Sequence, residues 1–155
     1  MALGAGEWET LRAAMDRIVP ADEQPSATEA GVEGYFRKQF EGDLRHVAVR
    51  YETCLKALDA EAQARHGACF KELDPGRQDS LLLLVEQGDV KAVWGQAPAE
   101  FFRMLVEHVS EGYWADPSNG GNRGGVSWEA LGFRSWSSGG GRPAGRPYGS
   151  AQEGT

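Results

Sequence analysis

The stretch 43–66 constrains the fold most strongly, because it carries one long helical pattern. Apolar residues recur there at spacings of three and four, and charged residues occupy the other faces. The apolar set is Leu44, Val47, Tyr51, Leu55, Leu58 and Ala62. A single apolar stripe on so long a helix is best buried by neighbouring helices. The pattern therefore predicts a long helix packed within a helical body.

Four other segments carry shorter apolar stripes together with helix start and stop signals. Nothing in the chain alternates apolar and polar residues with a period of two for long enough to form a sheet. We therefore predict an all-α fold, a single irregular bundle of about five helices. Besides the long helix, we predict helices at 7–19, 74–87 and 98 to 114 or 115, and a helical turn at 68–73. A further helix, capped by Ser26 or Thr28, is weakened by Gly31 and Gly34. In the helix 74–87, Asp74 is the cap and Pro75 lies in the first turn.

Two apolar stretches outside the long helix give expectations about burial. The run 81–85 is apolar nearly all round, which predicts that this part of its helix is central. The connector 89–97 carries Val93 and Trp94, and we expect both side chains to be pinned to the bundle.

The stretch 114–133 combines turn-forming residues with large rings. Glycines at 120, 121, 124 and 125 permit positive φ, and Asn119 and Asn122 can cap turns. Ser127 is a plausible N-cap for a short turn that runs through Trp128 and Leu131 to Gly132. Because tryptophan rings gain most by burial, an ordered Gly/Asn/Trp loop is predicted rather than a linker.

A glycine-rich loop has other interpretations. The order Gly-Gly-Asn-Arg-Gly-Gly lacks the Gly-Lys-Ser/Thr ending of a phosphate loop, and the predicted helix before it excludes the dinucleotide fingerprint, which follows a strand. A purely structural role, closing the bundle over Trp114 and Trp128, stays open. It is compatible with a docking role, because a rigid exposed loop is also a good docking surface.

The residues 112–117, 120–122, 128 and 132–133 resemble the C-terminal signature of the gluconate 2-dehydrogenase subunit 3 family. Leu11 through Pro20 resembles the family's opening helix, and 101–105 resembles the helix that leads into the loop. The similarity covers roughly 7–133. Members of that family are small companion subunits of flavin-dependent dehydrogenases, whose large subunit belongs to the glucose-methanol-choline oxidoreductase class.

The resemblance implies a non-catalytic gamma subunit that binds and stabilises, or helps mature, a FAD-dependent sugar or polyol dehydrogenase. It implies FAD in the partner and no cofactor in this chain, with electrons passing to a cytochrome c or another acceptor. The alternative is an autonomous small enzyme or ligand-binding protein with a pocket between helices. The residues expected to bind the partner are Trp114, Asp116, Asn122, Arg123, Trp128 and Phe133.

The charge of −7 and the pI near 5.0 oppose binding to nucleic acid or to an anionic membrane, because both need a basic face. The beginning of the sequence does not resemble a signal peptide, and no apolar run is long enough to cross a bilayer. We therefore expect a cytoplasmic protein, or a periplasmic one only if a partner carrying the signal exports the complex.

The sequence offers little chemistry. Cys54 and Cys69 could pair, but without an export signal two buried or part-buried thiols are favoured. His66 and Cys69 lack the further ligands of a metal site, and a catalytic thiol there lacks an orienting residue. His108 is expected at the edge of the core, and His46 in solvent. No catalytic, cofactor-binding or metal-binding residue is therefore predicted.

Composition changes sharply after the predicted helical domain, 7–134. The tail, 135–155, is rich in Gly, Ser, Pro and Arg and cannot bury enough surface to offset its ordering entropy. We expect it to be mobile. Alternatively Trp136 and Tyr148, with Arg142 and Arg146, anchor it in extended form on an acidic partner.

Overall fold

The computed structural model describes residues 3–115 and 117–125, which form five α-helices and three short 3-10 helices. These described residues include no strand, so the all-α prediction is confirmed. None of their helices is both long enough and apolar enough to span a bilayer. The α-helices are α1 (Ala5–Ile18), α2 (Val32–Glu41), α3 (Arg45–His66), α4 (Pro75–Gln87) and α5 (Pro98–Trp114), and the 3-10 helices are Phe70–Glu72, Pro117–Asn119 and Arg123–Gly125.

Helix α3 supplies the middle of the core, as its stripe predicts. Tyr51 is fully buried, and its ring packs edge to face against Phe36 of α2, with centroids 5.4 Å apart. The same ring packs against Phe101 of α5 at 5.9 Å. Such ring pairs contribute about 0.5–1.5 kcal/mol each beyond the area they bury. The rings of α2, α3 and α5 thus fix these helices against one another.

Helix α2 begins later than its cap signals predict. Ser26 does cap a turn, since its Oγ accepts the Glu29 N–H at 3.2 Å. That turn ends at Gly31, whose φ of 78° is left-handed, and α2 starts at Val32. The predicted start at Ser26 or Thr28 is therefore wrong, because Gly31 breaks the helical backbone and turns the chain.

The prediction that 81–85 lies centrally is confirmed for only part of the run. Leu81 and Val85 are fully buried, but Leu83 is 51% exposed. Helix α4 packs against α5 and α1 with one face only, so its outer face stays at the surface.

In the following connector Trp94 packs 5.8 Å from the Phe101 ring as expected, whereas Val93 is 94% exposed and does not pack against the bundle.

Asp74 caps α4, and its contribution can be measured. Its carboxylate accepts the Arg77 N–H at 2.9 Å, and Pro75 occupies the first turn as predicted. We expect Asp74→Ala to lower the free energy of unfolding by about 1 kcal/mol in urea denaturation. Asp74→Asn, which keeps an acceptor, should lose only a few tenths. Equal losses in the two variants would instead implicate the ion pair with the Arg77 guanidinium at 3.5 Å.

Candidate functional site

The structure describes the predicted loop as far as Gly125, apart from residue 116. Helix α5 ends at Trp114, and the extended backbone of Ala115 leads toward the turn Pro117–Asn119. Positive φ angles follow at Gly120 (92°), Asn122 (47°) and Gly124 (64°). These left-handed residues wind the chain back on itself, which is the use of glycine that the sequence indicates.

Four glycines bring this loop into backbone contact with two helices. A Cβ on Gly34 of α2 would collide with the Gly120 carbonyl oxygen, and one on Gly120 would lie 2.5 Å from the Gly34 carbonyl oxygen. A Cβ on Gly121 would collide with the carbonyl oxygen of Gly112 in α5. We call Gly34, Gly112, Gly120 and Gly121 the glycine cluster. Only residues without a side chain allow this approach.

Gly112 also sets the distance between α2 and α5. A Cβ there would lie 2.8 Å from Tyr35 Cδ1 and 2.9 Å from Val32 Cγ1. Tyr35 reaches across this crossing, where its hydroxyl donates to the Glu111 carboxylate at 2.6 Å. Burial and this acceptor raise the pKa of Tyr35 above its ordinary value. The helices that hold the loop are therefore joined by close packing and by a hydrogen bond.

Polar contacts hold the loop at two further points. The Asn122 side chain is fully buried, and its Nδ2 donates to the Ala115 carbonyl oxygen at 2.8 Å. Lys38 of α2 donates from Nζ to the Ser118 carbonyl oxygen at 2.5 Å. The loop is thus tied to its own start and to α2.

The predicted partner-binding residues differ in how exposed the structure leaves them, and three of them lie outside the described residues. Trp114 is 43% exposed at the end of α5, with its ring 5.2 Å from that of Tyr113. Asn122 is fully buried, so it shapes the loop from inside. The backbone of Arg123 begins the last 3-10 helix. Asp116, Trp128 and Phe133 lie outside the described residues, as do the predicted turn at 127–132 and the tail 135–155.

The sequence interpretation missed Gly34 and Gly112 as parts of this site. From the sequence alone, Gly34 is only a position that weakens α2. A glycine inside a helix costs about 1 kcal/mol relative to alanine, so its presence can indicate that another backbone comes close. A glycine within a helix can therefore indicate a close backbone contact, but it does not identify the segment that approaches.

The cysteine side chains and His108 pack within the fold or at its edge. Cys54 is buried and Cys69 half-buried, both as free thiols, which confirms the favoured prediction. Burial raises the pKa of Cys54 to about 11, which opposes a nucleophilic role. His108 packs near the core and shares a hydrogen bond of 2.7 Å with the Tyr51 hydroxyl, and burial lowers its pKa. No group of three His, Cys, Asp or Glu in the described part of the chain is placed to hold a metal.

An ion cluster on α2 predicts how stability depends on pH. Glu33 binds Arg12 of α1 and, at 2.6 Å, Arg37. The hydrogen bond from Arg12 is the main cause that lowers the pKa of Glu33 to about 2. The lowered pKa means that the stabilisation is present above pH 4.5 and is lost as the pH falls toward 2. Because Arg12 and Arg37 are partly exposed and screened, we expect a loss of about 1–2 kcal/mol.

The measurement is urea denaturation across that pH range. Glu33→Gln should flatten the decline, and the matched change Glu41→Gln, on an exposed residue of the same helix, should leave it as in the wild type. Parallel curves for all three proteins would show that Glu33 does not carry the effect.

Comparison with known protein families identifies one family for this chain. The family model for gluconate 2-dehydrogenase subunit 3 matches residues 5–134, a span that contains all five helices and the glycine cluster. No curated protein and no solved structure matches the chain. The family's name implies an accessory role in a dehydrogenase complex. On this match the chain belongs to the gluconate 2-dehydrogenase subunit 3 family.

Proposed function

We propose that this chain is a non-catalytic small subunit that binds, and stabilises or matures, a FAD-dependent sugar or polyol dehydrogenase of the glucose-methanol-choline class. Membership of the family supports an accessory role in such a complex. FAD and the substrate then lie in the large subunit, which passes electrons to a cytochrome c or another acceptor. The observation that carries the proposal is the exposed Trp114 ring beside a loop that is fixed to two helices.

Trp114 has the chemistry of an interface anchor. It is the only aromatic among the exposed large hydrophobic side chains of the residues that the structure describes. Tryptophan is among the residues that dominate interface energetics, because one rigid ring buries a large area. The glycine cluster holds the neighbouring backbone in place before any partner arrives. A prearranged surface binds more tightly, since less conformational entropy is lost on docking.

The predicted binding residues then divide into two roles. Trp114 contacts the partner directly, whereas Asn122 acts from within by holding the loop to Ala115. Asp116, Arg123, Trp128 and Phe133 complete the proposed surface on the strength of the sequence pattern. Because aromatic and arginine side chains are enriched among interface hot spots, Arg123 and Trp128 are the strongest candidates of these four.

Co-expression with a tagged large flavoprotein subunit tests the proposal. We expect Trp114→Ala to weaken the complex about tenfold, since truncating an anchor ring removes well over 1 kcal/mol. Val93→Ala is the matched control, because Val93 is an exposed apolar residue in the connector before α5, and its complex should resemble the wild type. Trp128→Ala should also weaken co-purification.

The same expression system tests the stabilising role. Omitting this chain should reduce the yield of FAD-loaded flavoprotein. Unchanged yield and activity of the flavoprotein without this chain would rule the proposal out. Substrate turnover by the isolated chain would favour an autonomous enzyme instead.

A further inference from the structure

Two depressions of about 190 and 330 Å³ adjoin at Ile18, which lines both. The first lies at the ends of α1 and α5, and the second lies between α1, α4 and α5. Trp114 and Pro25 line the first, and Leu83 and Phe102 line the second. We call this surface the Ile18 groove. One end of it therefore reaches Trp114, the anchor of the proposed loop interface.

Several apolar side chains line the Ile18 groove. Leu83 is 51% exposed even though it lies between buried positions of α4, and Ile18 and Phe102 are only half-buried. Exposed apolar side chains that adjoin one another gain free energy when a partner covers them, whereas isolated ones are ordinary. Leu83 thus departs from the central position that the sequence predicts for 81–85, and a partner lying over α4 would bury it.

The polar rim of the groove is acidic. Asp79 binds Arg17 through both oxygens, at 2.7 and 3.2 Å, so the guanidinium charge is already neutralised. Asp22 lines one depression and Glu86 the other, and neither forms an ion pair with a described residue. The lining of the groove therefore carries two net negative charges beside its apolar side chains. An occupant with basic residues at its ends would complement them.

We infer that the Ile18 groove binds an apolar segment of the large flavoprotein subunit flanked by lysine or arginine, continuing the loop interface past Trp114. This inference rests on the proposed function. The apolar residues of the segment cover Leu83, Ile18 and Phe102, and its basic residues lie near Asp22 and Glu86. The groove thus extends the contact from Trp114 to the exposed face of α4 around Leu83.

Affinity for a purified, tagged large flavoprotein subunit tests the inference. Leu83→Lys removes an apolar contact and adds a charge that repels a basic segment, so we expect binding at least about tenfold weaker. Val49→Lys is the matched control, because Val49 is 53% exposed on α3, outside the groove. It adds the same charge and should bind within about twofold of the wild type. Circular dichroism of both variants should match the wild type.

The acidic rim is tested separately. Glu86→Lys should weaken binding about threefold to tenfold at low salt, and the difference from the wild type should shrink at high salt. An equal effect at every salt concentration would contradict the electrostatic part of the inference.

The remaining outcomes separate this inference from the function on which it rests. If the wild type binds and Trp114→Ala weakens binding while Leu83→Lys does not, the groove inference fails and the proposed function stands. If the wild type does not bind, both fail. A wild-type homodimer that Leu83→Lys converts to monomer, or tighter binding after removal of 135–155, would assign the groove to a second copy or to the tail and overturn the inference.

Discussion

Replacing Gly34 with alanine is expected to lower the free energy of unfolding by about 2–3 kcal/mol, although alanine is the better helix former by about 1 kcal/mol. The reason is that the new Cβ meets the Gly120 carbonyl oxygen, a backbone atom that cannot move aside by rotating a side chain. The loop must therefore shift away from α2. Urea denaturation measures the loss, and amide hydrogen exchange should show faster exchange in 117–125.

Gly6→Ala is the matched control for this variant. Gly6 also lies in the first turn of a helix, α1, but a Cβ there meets nothing within 4 Å. Replacing it with alanine should then stabilise the protein by about 0.4–1 kcal/mol, because alanine has less conformational freedom to lose on folding. The same substitution is thus expected to act with opposite sign at two helical glycines. Stabilisation by Gly34→Ala as well would mean that the loop does not lie against α2.

The second large effect is expected at Asn122. Asn122→Ala removes the hydrogen bond to the Ala115 carbonyl oxygen. It also places alanine in a left-handed backbone conformation, at a φ of 47°, without that hydrogen bond to stabilise it. An unsatisfied buried group costs about 1–3 kcal/mol, and the left-handed backbone costs alanine about 1 kcal/mol more. We expect a total loss of about 2–4 kcal/mol in urea denaturation, with the helical content unchanged by circular dichroism.

Asn122→Gly separates the two causes. Glycine adopts the left-handed conformation readily, so this variant should lose only the side-chain contribution and be more stable than Asn122→Ala by about 1 kcal/mol. Both should weaken binding to the flavoprotein, because the loop is less well held. Collapse of the helical signal in either variant would instead make Asn122 a residue on which the whole bundle depends.

The helices were predictable because their signals are local. Periodic apolar positions, Pro75 and Pro98 at helix starts, and Asp74 as a cap each act within a few residues of the element that they define. The predicted start of α2 is wrong because a cap signal and a helix-breaking glycine compete in this segment. Ser26 caps a turn, but Gly31 then ends it, and local rules do not say which wins.

The site was less predictable because it depends on contacts between distant segments. Gly34 and Gly120 are far apart in sequence, and only the folded chain shows that their backbones touch. Leu83 lies in an apolar run, yet the packing of α4 against α5 leaves it at the surface. The sequence predicts Asn122 as a loop residue, but its burial follows from how the loop folds back on Ala115.

Hydrogen exchange of this chain, alone and bound to the large flavoprotein subunit, tests the central claim most directly. Docking through the loop predicts that protection on binding is concentrated at the end of α5 and in 117–125, around Trp114 and the glycine cluster. Amides of the connector 89–97 and of α3 around Val49 should exchange at the same rates as in the free chain. Protection confined to those surfaces, with the loop unchanged in the complex, would contradict the account.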